Sequence, residues 1–394
     1  MKRTILSAIA AILCFVASAQ SATQIIEENP YRAANNLHSY EFSPIQDTPA
    51  PKGFKPFYIS HYGRHGSRYE QNATFSAAAL EGFEKAKDAD ILSQKGQVLY
   101  DQVKKITDEH KGNEGALSPR GGREHQMLAE RMYSRFKPVF KSKKPVNVRV
   151  LGSTSPRSLV SMANFTSSLK GLSPNIVYSI TSADQYMHFM GPSFNYQGLI
   201  AKAYGGVMPA ATGHNLSAKP GNTYDFSRLY SVLFSDSAKA KEVITDMDAF
   251  VRAIYSTGSL CEDLDYLGYD IFRDYFTTEE LVYLFQNQND MIYLFWGNSI
   301  EGGDDVRQII KPLLKDILTK ADDAIATGNT VADLRFGHDT GALPLFSLLG
   351  IDDQNNERHS FRSAHEKWFG GLRIPMATNF QMVFYKNKKG DIIV

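Results

Sequence analysis

Two segments of the chain share one layout: an apolar run, a glycine, and then a histidine with charged neighbours. The first is Tyr58-Ile59-Ser60-His61-Tyr62-Gly63-Arg64-His65-Gly66-Ser67-Arg68, and the second is Phe336-Gly337-His338-Asp339-Thr340. A third segment, Val150-Leu151-Gly152-Ser153-Thr154-Ser155-Pro156-Arg157, sets an arginine after another apolar run. If the three runs are neighbouring strands, Arg64, Arg68, Arg157, His65, His338 and Asp339 meet in one place. That set suits phosphoryl transfer. Planar arginine forks match phosphate oxygens with paired, charge-assisted hydrogen bonds, and three of them stabilise charge on the equatorial oxygens of the transition state. A neutral imidazole is a competent covalent nucleophile, and a nearby carboxylic acid can protonate a leaving alkoxide. Gly66 is expected to let the backbone approach the ligand. The arginines supply the positive charge, so the set calls for no metal and no cofactor.

Each residue also has an ordinary explanation. Arg-His-Gly alone is a short match that a long chain meets by chance. Arg64, Arg68 and Arg157 could be solvated, and Asp339 could cap a helix after a strand. His61, beside the first motif on its strand, reads as a packed, hydrogen-bonded core histidine. What favours chemistry is the combination: the three segments come at the ends of three strand-like runs.

The elements that must position these residues are legible from hydrophobic period. Residues 54–62 read as a buried strand ending at Gly63, residues 146–151 and 176–180 as short strands, and residues 332–336 as a strand that runs directly into His338. Helical patterns cover residues 76–87, 93–110, 120–136 and 155–170; in the third, Leu128, Met132 and Phe136 share one face. The alternation implies an α/β class with a mainly parallel central sheet flanked by helices, in which ligands sit beyond the carboxyl ends of the strands. Residues 183–297 differ. They begin with a Gly-, Pro- and Asn-rich stretch, become helical over 238–255, and carry a capping box from Thr277 to Glu280 that opens a helix to about Phe295. This block reads as a smaller, mostly helical insertion domain within a core formed by residues 20–182 and 298–394. A long amphipathic helix covers 304–327, and residues 380–385 and 392–394 resemble a closing hairpin.

The first residues read as an export signal: Lys2 and Arg3, an apolar stretch over 5–16, and Ala17-Ser18-Ala19 as a cleavage site, giving a mature chain from Gln20. The apolar stretch is too short for a transmembrane anchor. A secreted or periplasmic bacterial protein is therefore expected. Of 43 Lys and Arg against 42 Asp and Glu, two lie in the signal, which leaves 41 against 42. A near-neutral chain argues against general nucleic-acid or membrane-surface binding, so an anionic substrate must meet a local basic pocket. Removal of the signal takes Cys14 and leaves only Cys261, which excludes an intramolecular disulfide and a cysteine-built metal site. No heptad or apolar stripe indicates an oligomeric state.

Arg64-His65-Gly66-Ser67-Arg68 resembles the R-H-G-x-R signature of the histidine acid phosphatases. Leu117-Ser118-Pro119-Arg120-Gly121 resembles the family's L-T-x-x-G, Ser153-Thr154-Ser155-Pro156-Arg157 with Ser161 its S-T-x-x-R-x-x-x-S segment, and Gly337-His338-Asp339-Thr340 its H-D motif. The stretch Pro375-Met376-Ala377-Thr378-Asn379 resembles the family's closing strand. The resemblance implies an α/β core with a largely helical second domain. It also implies that His65 becomes phosphohistidine, that Arg64, Arg68, Arg157 and His338 hold the phosphoryl oxygens, and that Asp339 protonates the leaving group. Arg-His-Gly-Ser-Arg-Tyr is most similar to the multiple inositol polyphosphate phosphatases, which act on phytate. Two positions depart from that subfamily: Glu70 stands where proline is usual, and His338-Asp339-Thr340 where His-Ala-Glu is usual. A polyanionic substrate calls for extra basic residues in the cleft, for which Lys202, His214 and Lys219 are candidates, although lysines are common on any surface. The competing readings are a phosphatase of broad specificity on sugar phosphates or nucleotides, and a non-catalytic protein that binds phosphorylated ligands.

Overall fold

The computed structural model describes residues 20–44, 48–205, 223–351 and 357–394. Strands β1 (Lys55–Arg64), β2 (Val146–Gly152), β3 (Ile176–Thr181), β4 (Ala332–Gly337), β5 (Asn379–Lys386) and β6 (Ile392–Ile393) form one sheet in the order β3-β2-β4-β1-β5-β6. The pairs β3-β2, β2-β4 and β4-β1 are parallel, whereas β5 and β6 close one edge antiparallel. This is the mainly parallel α/β sheet expected from the alternation of strands and helices. Register sets the site: Arg64 lies opposite Gly337, and Gly152 opposite Phe336, so β1, β4 and β2 end at one level.

Side-chain alternation places the two layers. Ile59, Val148, Val150, Leu334 and Phe336 share a core with Leu128 and Met132 of the helix Pro119–Arg135 and Phe165 of Pro156–Leu172. Tyr62, one residue out of phase with Ile59 and so on the opposite face, packs instead with Ile310 and Leu313 of Gly303–Thr327 and Leu343 of Asp339–Leu349. A further apolar cluster joins Phe83 of Thr74–Asp88 and Leu99 of Gln94–His110 to Phe250 of Met247–Gly258 and Leu284 of Thr278–Trp296.

Most elements fall within two residues of their expected bounds. β1 runs on through Gly63 to Arg64, because it pairs on both sides to its end. The capping box Thr277–Glu280 opens Thr278–Trp296 as expected. The single helical pattern over 238–255 is two helices, Ser237–Val243 and Met247–Gly258; Asp246 caps the second by accepting from the Ala249 amide, which suits a short acidic side chain at that position. The export signal, His214 and Lys219 lie outside the described residues, and no described helix is long and apolar enough to cross a membrane.

One buried ionic cluster ties the amino-terminal segment to the helical region. His38 is buried, with Glu262 on Nδ1 at 2.7 Å and Glu41 on Nε2 at 2.9 Å. Burial lowers its pKa, but the two carboxylates outweigh burial and raise it to about 9. The stabilisation is therefore complete below the ordinary histidine value near 6.5 and is lost as pH rises through about 9. It amounts to about 3 kcal/mol for such a shift. Denaturant unfolding of the wild-type chain should show this loss between pH 6 and pH 10, and H38Q should not. Parallel curves for the two proteins would remove His38 as the cause.

Candidate active site

The strand ends bring the three motifs together. The His65 amide donates to the Gly337 carbonyl at 3.0 Å, and the Ser153 amide to the Phe336 carbonyl at 2.9 Å. Hydroxyls then cross-link the motifs. Ser161 Oγ accepts from the Gly66 amide at 3.1 Å, Ser158 Oγ donates to the Gly337 carbonyl at 3.1 Å, and Ser153 Oγ lies 2.9 Å from His338 Nε2. Ser161, at the far end of the third motif, thus pins the loop that carries His65.

His65 is buried, and its ring lies edge-on to His338 with centroids 5.6 Å apart. Nδ1 is 2.9 Å from the Gly66 carbonyl. A carbonyl only accepts, so the neutral ring carries its proton on Nδ1 and presents the Nε2 lone pair. Burial, followed by Arg64, Arg157, His338 and Arg68, pushes the imidazole pKa well below its ordinary value. The ring therefore stays neutral, and so nucleophilic, into acidic solution.

The cations are held differently from one another. Arg64 Nη1 donates to the carbonyls of Asn36 and Ile374 (2.5 and 2.8 Å), and Nη2 pairs with Asp339 Oδ2 at 3.0 Å. Arg68 Nη1 donates to the Tyr69 carbonyl at 2.8 Å. Burial and the neighbouring Arg64 and Arg157 lower Arg68 to about 10, so it keeps its charge in neutral and acidic solution. The Nε–H groups of Arg64 and Arg157 are buried and have no acceptor among the described residues. Buried donors of this kind ordinarily find a partner, and here two of them belong to cations that both act on the His65 ring.

Tyr62 fixes the His338-Asp339 corner. Its buried hydroxyl accepts from the His338 amide at 3.1 Å, and a Cβ on Gly337 or Gly341 would overlap that oxygen. Both glycines are there for the tyrosine. Gly66 likewise serves packing: its absent Cβ would stand 2.6 Å from the Gly121 carbonyl and 2.9 Å from Glu124 Oε2. The expected close approach at Gly66 is thus made by the first turn of Pro119–Arg135. Burial, with Arg157 beside it, lowers the His338 ring to about 4, so this imidazole too is neutral in all but strongly acidic solution. Burial alone would raise Asp339, but Arg64, the Asn36 amide, His338 and Arg68 outweigh it and hold the carboxyl below its usual range.

Several positioning residues carry no motif. Glu124 is buried and accepts from the Ser67 amide (2.8 Å), Ser67 Oγ (2.9 Å) and the Tyr40 amide (3.1 Å). Burial raises its pKa despite those bonds. Asp263, also buried, is pushed up to about 8 by burial and accepts from Ser39 Oγ at 3.3 Å. Glu70 has a structural role. The helix Thr74–Asp88 begins at Ala73, which offers no side-chain cap, and Glu70 instead accepts from the amides of Phe75 (2.6 Å) and Ser76 (3.2 Å). His61 packs between Phe165 and Phe336, but its Nδ1 has no hydrogen-bond partner among the described residues, so it is packed without being fully satisfied. Lys202 pairs with Asp305 on Gly303–Thr327 and is not joined to the site. Only periodicity breaks, such as an acid on the buried side of a helix, could have marked Glu124 in the sequence.

The architecture is the histidine acid phosphatase fold. Among solved structures, the multiple inositol polyphosphate phosphatase of Bifidobacterium longum superposes with a TM-score of 0.73 at 19% identity, covering 91% of this chain and 88% of that one. The same enzyme has been solved with phosphate (TM-score 0.73, 20% identity) and with inositol hexasulfate (TM-score 0.69, 19% identity), with the same coverage. A phytase from D. castellii superposes with a TM-score of 0.64 at 14% identity, covering 91% of this chain and 77% of its own. No protein-family model and no curated protein sequence matches the chain.

Proposed function

We propose that this protein is an exported phosphomonoesterase that hydrolyses phosphate esters through a phosphohistidine on His65, with inositol polyphosphates such as phytate as favoured substrates. The observation that carries the reading is the neutral His65 ring, oriented by Gly66 and surrounded by Arg64, Arg68 and Arg157. His65 Nε2 attacks phosphorus, the ester P–O bond breaks, and protonated Asp339 gives its proton to the leaving oxygen. Water then attacks the phosphohistidine, Asp339 takes up a proton from it, and phosphate leaves with His65 restored. Arg64, Arg68, Arg157 and His338 bind the phosphoryl oxygens in this account. The acid must carry its proton when the ester binds. Arriving phosphate charge favours that form, and so does acidic solution, in which His65 stays neutral. Residues 183–297 are proposed as the insertion that completes the cleft, and residues 1–19 as the export signal, with Gln20 found at the amino terminus of exported protein.

The names of the superposing enzymes and the Arg-His-Gly-Ser-Arg-Tyr segment support the inositol phosphate assignment. The second reading is a phosphatase of broad specificity; Lys202, a candidate contact for a polyanion, is exposed and paired with Asp305. Specificity constants on phytate, glucose phosphate and 4-nitrophenyl phosphate separate the two. Phytate should be preferred; turnover no faster than that of the small esters would sink the inositol assignment and leave the broad phosphatase.

A further inference from the structure

The carboxylate of Asp339 is held by three donors. Oδ1 accepts from the Thr340 amide at 2.9 Å, whereas Oδ2 receives Arg64 Nη2 at 3.0 Å and Asn36 Nδ2 at 2.9 Å. Asn36 is the unexpected member. It lies in the amino-terminal segment Pro30–Leu37, roughly three hundred positions from Asp339, and no motif includes it. Its backbone carbonyl accepts from Arg64 Nη1, so one residue grips both halves of the Arg64–Asp339 pair.

The chain is bent to deliver it. Asn35 has φ 53° and ψ −125°, a conformation that a residue with a Cβ rarely adopts and that surrounding structure must enforce. Asn35 is buried, and its Nδ2 is in range of the Ala33 carbonyl (3.3 Å), the Phe285 carbonyl (3.4 Å) and Gln288 Oε1 (3.4 Å). The last two lie on Thr278–Trp296. Just beyond, His38 is locked to Glu262. The Asn35–His38 stretch is thus anchored to the helical region on both sides of Asn36.

We propose that Asn36 is a positioning residue for the proton donor: its side-chain amide holds Asp339 Oδ2 against Arg64 and sets how readily that carboxylate takes up the proton it passes to the leaving group. The inference rests on the acid role of Asp339 proposed above. The charged and titratable groups that face Asp339 are Arg64 from β1, Arg68 from the following loop, Arg157 from Pro156–Leu172, His338 at the end of β4, and the phenols of Tyr62 and Tyr196. Asn36 is a neutral donor to the same oxygen, so N36A removes that donor with no change of charge, whereas N36D adds one negative charge beside the pair. Its contact with Arg64 goes through the backbone and survives any side-chain change.

The test compares the pH dependence of kcat/KM for wild type, N36D, N36A and D339N on glucose phosphate, a poor leaving group, and on 4-nitrophenyl phosphate, a good one. N36D is nearly isosteric and replaces a donor by a second carboxylate. It should move the alkaline limb of the glucose phosphate profile up by about one pH unit, since like charges favour the protonated acid. N36A should move it in the same direction by less. Ionisation of the ester is common to all the proteins and cancels in the comparison. A structural role alone would lower both substrates evenly and leave the limb in place, and that result overturns the proposal. If D339N loses activity equally on the two esters, the acid role itself fails, which is a separate outcome from an unmoved limb in N36D and N36A.

Discussion

His65→Ala is expected to lower turnover of any phosphate ester by about four to six orders of magnitude, the scale seen when a covalent nucleophile is removed. Affinity for inorganic phosphate should change little. The two effects separate because the ring and the cations are held by different parts of the fold. His65 is oriented by the Gly66 carbonyl within its own loop, whereas Arg64 is pinned by the carbonyls of Asn36 and Ile374. The loop itself is fastened from outside, by Ser161 on Gly66 and by Glu124 on Ser67, so truncating the imidazole leaves its course intact. Inhibition by phosphate and turnover of 4-nitrophenyl phosphate measure the two quantities on one preparation. Loss of both together would mean that the site had collapsed. Retention of activity would remove His65 from the chemistry and return the chain to the reading of a phosphate-ligand binding protein or of another nucleophile.

Asp339→Asn should cost about two to four orders of magnitude on esters of alcohols, the range expected for general acid catalysis, and far less on 4-nitrophenyl phosphate. A nitrophenolate leaves unaided, whereas an alkoxide needs the proton. Asparagine keeps the size of the side chain and can still accept from the Thr340 amide. It cannot carry the proton. It also leaves Arg64 without its carboxylate partner, which adds a positive charge to the pocket and should tighten phosphate binding rather than weaken it. A slope of log kcat against leaving-group pKa that steepens in D339N supports the role; an unchanged slope opposes it.

The sequence shows the six chemical groups and the order of the strands that carry them because both are written in local pattern. Each histidine motif follows directly on an apolar run and a glycine, and period alone places the runs on strands. Register then does the assembly: Arg64 opposite Gly337 and Gly152 opposite Phe336 align three strand ends that lie far apart in the chain. What is not legible depends on contacts between distant segments. Asn36 looks like any polar residue of a short helix, and Glu124 like any acid on an amphipathic one, until Asp339 and Ser67 are seen beside them. Gly66 suggests a close approach of ligand on general grounds, but its missing side chain makes room for Gly121. Glu70, a departure from the inositol phosphatase pattern, is accounted for by a helix whose capping position, Ala73, has no side chain that can cap it.

In the proposed reaction phosphate passes through His65. Brief reaction of the wild-type chain with a 32P-labelled ester, stopped in alkali, should leave label on the protein in a bond that survives alkali and is released by acid, as expected of a phosphoramidate. Digestion should place the label on the peptide that contains His65. H65A treated in the same way should carry none. Label on another residue, or wild-type turnover with water attacking the ester directly and no labelled protein at any time, would exclude a phosphohistidine at His65.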